Sequence, residues 1–167
     1  MKEVIHQDSQ HKVVSVVNIL DRIPYAVKIT YNQDSDNTKA NCDQAVQEVH
    51  ALSALSQSTD CPHIVKFFTG WKEEDKLFIQ MELCQGSLDR EGPLNGFESL
   101  SNDEILRVIK EVSLGLQALH DKEVVHLNLT LSHILLGQSG KYKISNLGHS
   151  RLMTTLRGKV PEGDKRY

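Results

Sequence analysis

Apolar residues recur along this chain with a period near two in its first half and near 3.6 in one later segment. KVVSVVNIL (12–20) and YAVKITY (25–31) are β-branched runs separated by Asp21-Arg22-Ile23-Pro24, which predicts two strands joined by a hairpin turn. The polar stretch NQDSDNTKANCD (32–43) leads into a segment where Ala45, Val49, Leu52 and Leu55 fall at helical spacing. HIVKFFTGW (63–71) and KLFIQMEL (76–83) predict two further strands, joined by the acidic turn Lys72-Glu73-Glu74-Asp75.

The pattern changes after Cys84. QGSLDREGPLNG (85–96) holds three glycines and a proline and marks the expected boundary between two lobes. Ser101-Asn102-Asp103-Glu104 has the form of a capping box, with the Ser hydroxyl and Glu carboxylate able to satisfy free backbone donors. Ile105, Ile109, Val112, Leu116 and Leu119 then place a core-facing stripe on a helix from Asn102 to Asp121. HILLG and KYKIS predict two short strands across Gln138-Ser139-Gly140, and residues 147–167 read as a loop or mobile tail without periodicity. The expected division is a strand-rich lobe over 1–84, a linker over 85–96, and a helix-led, incomplete lobe over 97–167. The fold class is α+β.

Composition narrows the function. A chain of 167 residues, 39% hydrophobic and 25% charged, has the balance of a soluble globular protein. Nineteen basic against 22 acidic residues give a net charge of −3, which argues against a nucleic-acid or electrostatic membrane binder. No apolar run approaches the roughly 20 residues of a membrane span. The start, MKEVIHQDSQ, is too polar for a signal peptide, so a nuclear or cytoplasmic location is the expectation. Cys42, Cys61 and Cys84 are widely spaced, odd in number and without CxxC, and read as reduced thiols.

The order of chemistry-bearing residues is specific. Ala26-Val27-Lys28 on a strand precedes Glu48 on a helix, then Phe78-Ile79-Gln80-Met81-Glu82-Leu83-Cys84, then a helix leading into His126-Leu127-Asn128. Further on come Asn146-Leu147-Gly148-His149 and Glu162-Gly163-Asp164-Lys165-Arg166-Tyr167. This series resembles the protein kinases, and within them the Wee family, which inhibits cyclin-dependent kinases by tyrosine phosphorylation. The hinge sequence, the DLGH-like Asn146 segment, the EGD-x-R-[FY]-like end and a leucine rather than arginine at 127 carry the narrower likeness. The resemblance implies a protein-kinase-like fold with an antiparallel-sheet N-lobe and one helix. It covers almost the whole chain and stops where a kinase continues into the helices that build most of its C-lobe. The expectation is therefore a partial C-lobe, with apolar surface left bare on the helix from Asn102 to Asp121, inviting a partner or aggregation.

The resemblance also implies ATP and magnesium as cofactors, and roles for single residues. Lys28 and Glu48 match the ion pair that holds nucleotide phosphates, and Glu82 and Cys84 match the hinge that borders the nucleotide. A strand lysine is ordinarily exposed, but Glu48 lies inside the apolar arc of its helix between Leu52 and Leu55, where a carboxylate needs a cation. The glycine-rich loop is lost: its three glycine positions fall at His6, Asp8 and His11. Side chains there crowd the phosphates, and Asp8 would repel them if it pointed inward.

The catalytic loop is similarly altered. His126-Leu127-Asn128-Leu129-Thr130-Leu131-Ser132-His133 stands where a kinase reads H-x-D-x-K-P-x-N. Asn128 replaces the general base, whose loss costs roughly 10²–10⁴ in rate. Thr130 replaces the lysine that neutralises the moving phosphate. His133 and Asn146 replace the magnesium-binding asparagine and aspartate, although magnesium prefers hard, charged oxygen ligands.

Other constellations are weaker. His120, His126 and His133 match no metal-ligand spacing, and His126 reads as a structural histidine bonded to backbone. Trp71 and Phe67-Phe68 read as packing residues, and Arg157, Lys159, Lys165 and Arg166 as a solvated basic segment. The leading expectation is a Wee-like pseudokinase acting as a binding or regulatory module toward a cyclin-dependent kinase or another protein partner. The alternatives are a divergent active Wee-type kinase that phosphorylates a cyclin-dependent kinase tyrosine, and a nonfunctional remnant.

Overall fold

The computed structural model describes residues 2–7, 11–31, 46, 49–50, 52–53, 61–74, 76–89 and 99–152. Five antiparallel strands form the first sheet: β1 (Lys2–Gln7), β2 (His11–Val17), β3 (Pro24–Tyr31), β4 (Phe67–Glu73) and β5 (Lys76–Glu82), in the order β1-β2-β3-β5-β4. The register sets Lys28 opposite Val13 on one side and Ile79 on the other, in the centre of the sheet. Val14, Val27 and Ile29 form a small core on one face.

The strand expected over 12–20 stops at Val17, and the turn lies at 18–23 rather than 21–24. Asn18 Oδ1 accepts from the Leu20 N–H and Asp21 Oδ1 from the Ile23 N–H, so short polar side chains capture the backbone. Ile19 and Leu20, apolar but inside that turn, are 79% and 88% exposed.

Val46, Val49, His50, Leu52 and Ser53 are helical and mark helix α1, within the segment where the spacing predicts a helix. Helix α2 runs Asn102–His120, and the Ser101 hydroxyl accepts from the Glu104 N–H at 3.3 Å. The second half of the expected capping box is spent elsewhere. Glu104 Oε1 accepts from the Tyr142 hydroxyl at 2.7 Å and pairs with Arg107 at 3.0 Å.

The buried stripe of α2 is Val108, Val112, Gly115 and Leu119, while Ile109 is 56% exposed. Of the expected stripe, Val112 and Leu119 are buried and Leu116 packs against the core, while Val108 rather than Ile109 completes it. Gly115 lies at the closest approach of α2 to its neighbours: a Cβ there would stand 2.6 Å from the His63 carbonyl oxygen and 2.9 Å from Ile144 Cδ1. The helix turns its smallest residue, not its bulkiest, toward the closest neighbour. Leu106, Ile109 and Leu114 are left exposed on α2.

A second sheet joins β6 (Cys84–Ser87), β8 (Ile134–Gly137) and β9 (Tyr142–Ile144), in the order β6-β8-β9. Residues 85–87, within the segment expected as a linker, therefore belong to this sheet, and residues 90–98 lie outside the described ones. Strand β7 (Val124–Val125) pairs with β10 (Arg151–Leu152), giving order to the start of the expected tail, and residues 153–167 lie outside the described ones.

One core links the sheets. Leu52 of α1, Ile64, Ile79, Leu88, Val108, Val112, Leu119, Val124, Ile134, Tyr142, Ile144 and Leu147 form a single buried cluster. The Val65 N–H donates to the Ile144 carbonyl and the Ile144 N–H to the His63 carbonyl, both at 2.9 Å. Phe67 packs on the main core, whereas Phe68 meets Tyr25 edge-on and Trp71 stacks on Phe78. The fold is the protein-kinase-like α+β arrangement that the resemblance implies, with an antiparallel sheet and α1 followed by an incomplete helical lobe.

Candidate functional site

Five of the sequence candidates, Lys28, Asn128, Thr130, His133 and Asn146, meet where the first sheet faces the loop before β8. Lys28 is only 9% exposed, not the solvated lysine of an ordinary strand. Its Nζ donates to Asn146 Oδ1 at 3.1 Å, across 118 residues of sequence. Asn146 follows β9 with φ 61° and ψ 67°, a left-handed conformation that asparagine tolerates. Leu147, next to it, is fully buried in the main core and fixes where the Asn146 side chain leaves the backbone.

The other end of the amide meets His133: Asn146 Nδ2 lies 2.6 Å from His133 Nε2. An ammonium only donates, so Lys28 sets Oδ1 on its own side and Nδ2 toward the imidazole. His133 Nε2 must then accept, which assigns the ring proton to Nδ1. Nδ1 donates to the Asn128 carbonyl at 2.7 Å, with Thr130 Oγ1 at 3.1 Å. Thr130 Oγ1 in turn lies 2.8 Å from Ser132 Oγ. The result is a polar relay from Lys28 through Asn146 and His133 to the backbone of Asn128.

His126 is the second anchor of this loop. It is 2% exposed, its Nε2 donates to the Ser145 carbonyl at 2.9 Å, and its Nδ1 accepts from the Asn128 N–H at 3.2 Å. Ser145 returns its N–H and its hydroxyl to the His133 carbonyl, at 2.9 and 3.1 Å. Asn128 thus enters the network through its backbone N–H and carbonyl. Leu127 between them is held at φ 62° and is 55% exposed.

The hinge candidates lie at the end of β5. Glu82 Oε1 accepts from Lys143 Nζ at 2.7 Å and from the Lys66 N–H at 2.6 Å. Its carboxylate therefore ties β5 to β9 and to the residue preceding β4. Cys84 sits opposite Gly137 in the second sheet. Burial pushes its thiol up to about 12, with Glu82 adding to the shift and Lys143 opposing it. It stays protonated and unreactive at neutral pH.

Of the three glycine-loop positions, His6 lies on β1 and His11 opens β2, while Asp8 is outside the described residues. Glu48, the expected partner of Lys28, is also outside them. Lys143 and Lys66 were not singled out by sequence reasoning. The one sign of Lys143 is a lysine between two apolar β-formers, Tyr142 and Ile144.

The residues at the implied magnesium positions do not fit that ion. Asn146 offers one neutral oxygen, already engaged by an ammonium, and His133 offers nitrogens that are bonded to Asn146 and Asn128. Magnesium needs hard oxygen ligands in octahedral array. Among the described residues no three His, Cys, Asp or Glu side chains cluster to hold a metal ion. Nor does Asn128 supply a base, since a neutral amide has no site of comparable proton affinity. What the arrangement offers is a buried cation set against a neutral, internally bonded floor.

Residues 3–167 match the protein kinase domain family. A Wee1-like protein kinase of Oryza sativa subsp. japonica is 34% identical over 157 residues, covering 93% of this chain and 28% of that protein. The mitosis inhibitor protein kinase wee1 of Schizosaccharomyces pombe is 33% identical over 150 residues, 87% of this chain and 16% of its own length. A Wee1-like protein kinase of Arabidopsis thaliana is 32% identical over 160 residues, 93% of this chain and 30% of its own. The chain spans less than a third of each of these relatives. With the match running through nearly every residue and the strand lysine, hinge and catalytic-loop positions all in place, the chain belongs to the protein kinase family, among its Wee1-like members.

Proposed function

We propose that this chain is a Wee-type kinase homologue without phosphoryl transfer, serving as a binding or regulatory module in cell-cycle control. The observation that carries this reading is the Lys28–Asn146–His133 relay. Catalysis of phosphoryl transfer is almost entirely positioning and electrostatics, and here the metal, base and lysine positions hold Asn146, His133, Asn128 and Thr130. Retention of the shape-giving residues His126, Leu147 and Lys28 in buried positions supports a role for the folded surface instead. The partner is a cyclin-dependent kinase or another protein, in the nucleus or cytoplasm. The name of the Schizosaccharomyces pombe relative, a mitosis inhibitor protein kinase, supports that setting.

The test is phosphate incorporation from labelled ATP with magnesium, into the chain itself and into a cyclin-dependent kinase. Incorporation no greater than that of Lys28→Met is the expected result. Magnesium-dependent incorporation abolished by Lys28→Met overturns the reading in favour of a divergent active kinase. Co-precipitation of a cyclin-dependent kinase by the chain is expected, and its failure removes that partner.

A further inference from the structure

We propose that the outer corner of the first sheet, where the start of β1 meets the β2–β3 turn, is the contact between two copies of this chain in a weak two-fold dimer.

Large apolar side chains are bare at this corner. Val4, Ile5, Val17, Ile19, Leu20 and Ile23 are 43–88% exposed, and Ile19 and Leu20 are the barest large apolar residues among the described ones. β1 is an edge strand, and its Lys2–Val16 register sets it beside the end of β2, so Val4 lies within roughly 15 Å of the turn. The turn itself is held rigid. The Asn18 N–H donates to the Ile23 carbonyl at 3.1 Å and the Arg22 N–H to the Asn18 carbonyl at 3.0 Å. Asp21 Oδ1 accepts from the Ile23 N–H and Oδ2 from the Tyr25 hydroxyl, both at 2.8 Å, and Phe68 braces the Tyr25 ring edge-on. Ile19 and Leu20 are therefore presented by an ordered backbone, which lowers the entropy lost in a contact.

Charge and area identify the occupant. Asp21 and Arg22 are exposed neighbours of opposite sign at the turn. Asp21 is fixed by its two bonds, and among the described residues Arg22 makes no side-chain hydrogen bond or ion pair. A two-fold axis at the turn sets Arg22 of each copy against Asp21 of the other, with Ile19 and Leu20 meeting their equivalents. The surface is thus complementary to itself, as an isologous contact requires. Its bare apolar area is roughly 500 Å² per copy, in the range of the largest patch on a monomer. A standard interface takes roughly 800 Å² from each partner, so the dimer is weak and forms only at high concentration. The irregularity between Val4 and His6 interrupts the edge of β1, so the two sheets meet through side chains rather than by continuing the ladder. An anionic bilayer is the poorer occupant, because the chain carries −3 and Asp21 offsets the one cation of the turn.

The experiment is sedimentation velocity on the full chain, from low micromolar to millimolar concentration. A monomer–dimer equilibrium is expected. Ile19→Asp with Leu20→Asp is expected to weaken it about tenfold or more, through lost apolar burial and added repulsion. Arg22→Glu is expected to weaken it about fivefold, because the axis repeats the lost ion pair. All three side chains are exposed, so the melting temperature of each variant should stay near that of the parent. If the double variant does not fold, Arg22→Glu decides alone. Ile109→Asp, on the exposed face of α2, is expected to leave the dimer intact. A chain that stays monomeric throughout overturns the inference, as does association indifferent to Ile19, Leu20 and Arg22 or lost with Ile109→Asp. Assembly beyond the dimer overturns the two-fold contact. A monomeric chain that sediments with phosphatidylserine vesicles through Ile19 and Leu20 overturns it in favour of a membrane.

Discussion

Removal of Glu82 tests how the two sheets are held together. Its carboxylate receives Lys143 Nζ at 2.7 Å and the Lys66 N–H at 2.6 Å, with side-chain exposures of 22% for Glu82 and 10% for Lys143. Glu82→Leu strands the Lys143 ammonium in a nearly dry site, and breaking a buried pair this way costs about 3–5 kcal/mol. The partial exposure of Glu82 admits water and sets the cost at the lower end. The Lys66 N–H, losing its acceptor, adds about 1 kcal/mol. The expected total is about 4 kcal/mol, or a melting-temperature fall of roughly 8–16 °C for a chain of this size.

Lys143→Met is gentler. It leaves a carboxylate that still accepts from Lys66 and still reaches solvent, at a cost of about 1–2 kcal/mol. The double variant removes both charges and should be more stable than Glu82→Leu alone, with a coupling energy of about 2 kcal/mol. Equilibrium urea unfolding of the four proteins measures the cycle. Additivity of the two single costs, or a Glu82→Leu cost under about 1 kcal/mol, would refute the reasoning by showing the pair to be solvent-screened.

Three further outcomes are expected. Gly115→Ala ordinarily stabilises a helix interior by about 1 kcal/mol, but here the Cβ meets the His63 carbonyl at 2.6 Å, so denaturant unfolding should show a loss of about 1–3 kcal/mol. Tyr142 is held protonated by burial and by its bond to Glu104, with its hydroxyl raised from 10.0 to about 12. Because the folded value lies above the unfolded one, its stabilisation is complete below pH 10.0 and is lost as pH rises toward about 12. Tyr142→Phe should flatten that part of the stability profile, and tyrosinate absorbance should follow it in the parent. Leu127, at φ 62° and exposed, pays backbone strain without compensating burial, so Leu127→Gly should raise stability by about 0.5–1 kcal/mol in the same assay.

What was legible in the sequence is what local periodicity determines. The β2–β3 hairpin, α2 and the β8–β9 hairpin all lie where the apolar pattern predicts them. The pattern misplaced the first turn because Ile19 and Leu20 look like strand, while the choice is made by the side-chain oxygens of Asn18 and Asp21. It put Ile109 on the buried face of α2, where Val108 stands instead, and it did not mark Gly115, whose missing side chain lets the His63 backbone approach. At the site, alternation put Lys28 on the face of Ala26, and the family pattern flagged Asn128, Thr130, His133 and Asn146 as substitutions. Their joining into one relay was not legible. It depends on a left-handed residue at 146 and on partners 118 and 13 residues away. The Glu82–Lys143 pair, 61 residues apart, was hidden for the same reason.

The relay also changes what the substitutions mean. Taken singly, Asn146 and His133 stand at two positions where the family resemblance implies magnesium ligands. Together they are a matched pair, because the Asn146 amide accepts from an ammonium and donates to an imidazole nitrogen at once. A leucine at 146 would remove these bonds from the buried Lys28 and the half-buried His133, at a cost of about 1–3 kcal/mol for each such group. An aspartate would turn a lone pair toward His133 Nε2 and demand a protonated ring, placing two cations around one carboxylate. An aspartate therefore cannot stand at 146 alone without disturbing 133. The result is a self-consistent hydrogen-bonded structure in which Lys28 is linked through Asn146 and His133 to the loop that carries Asn128.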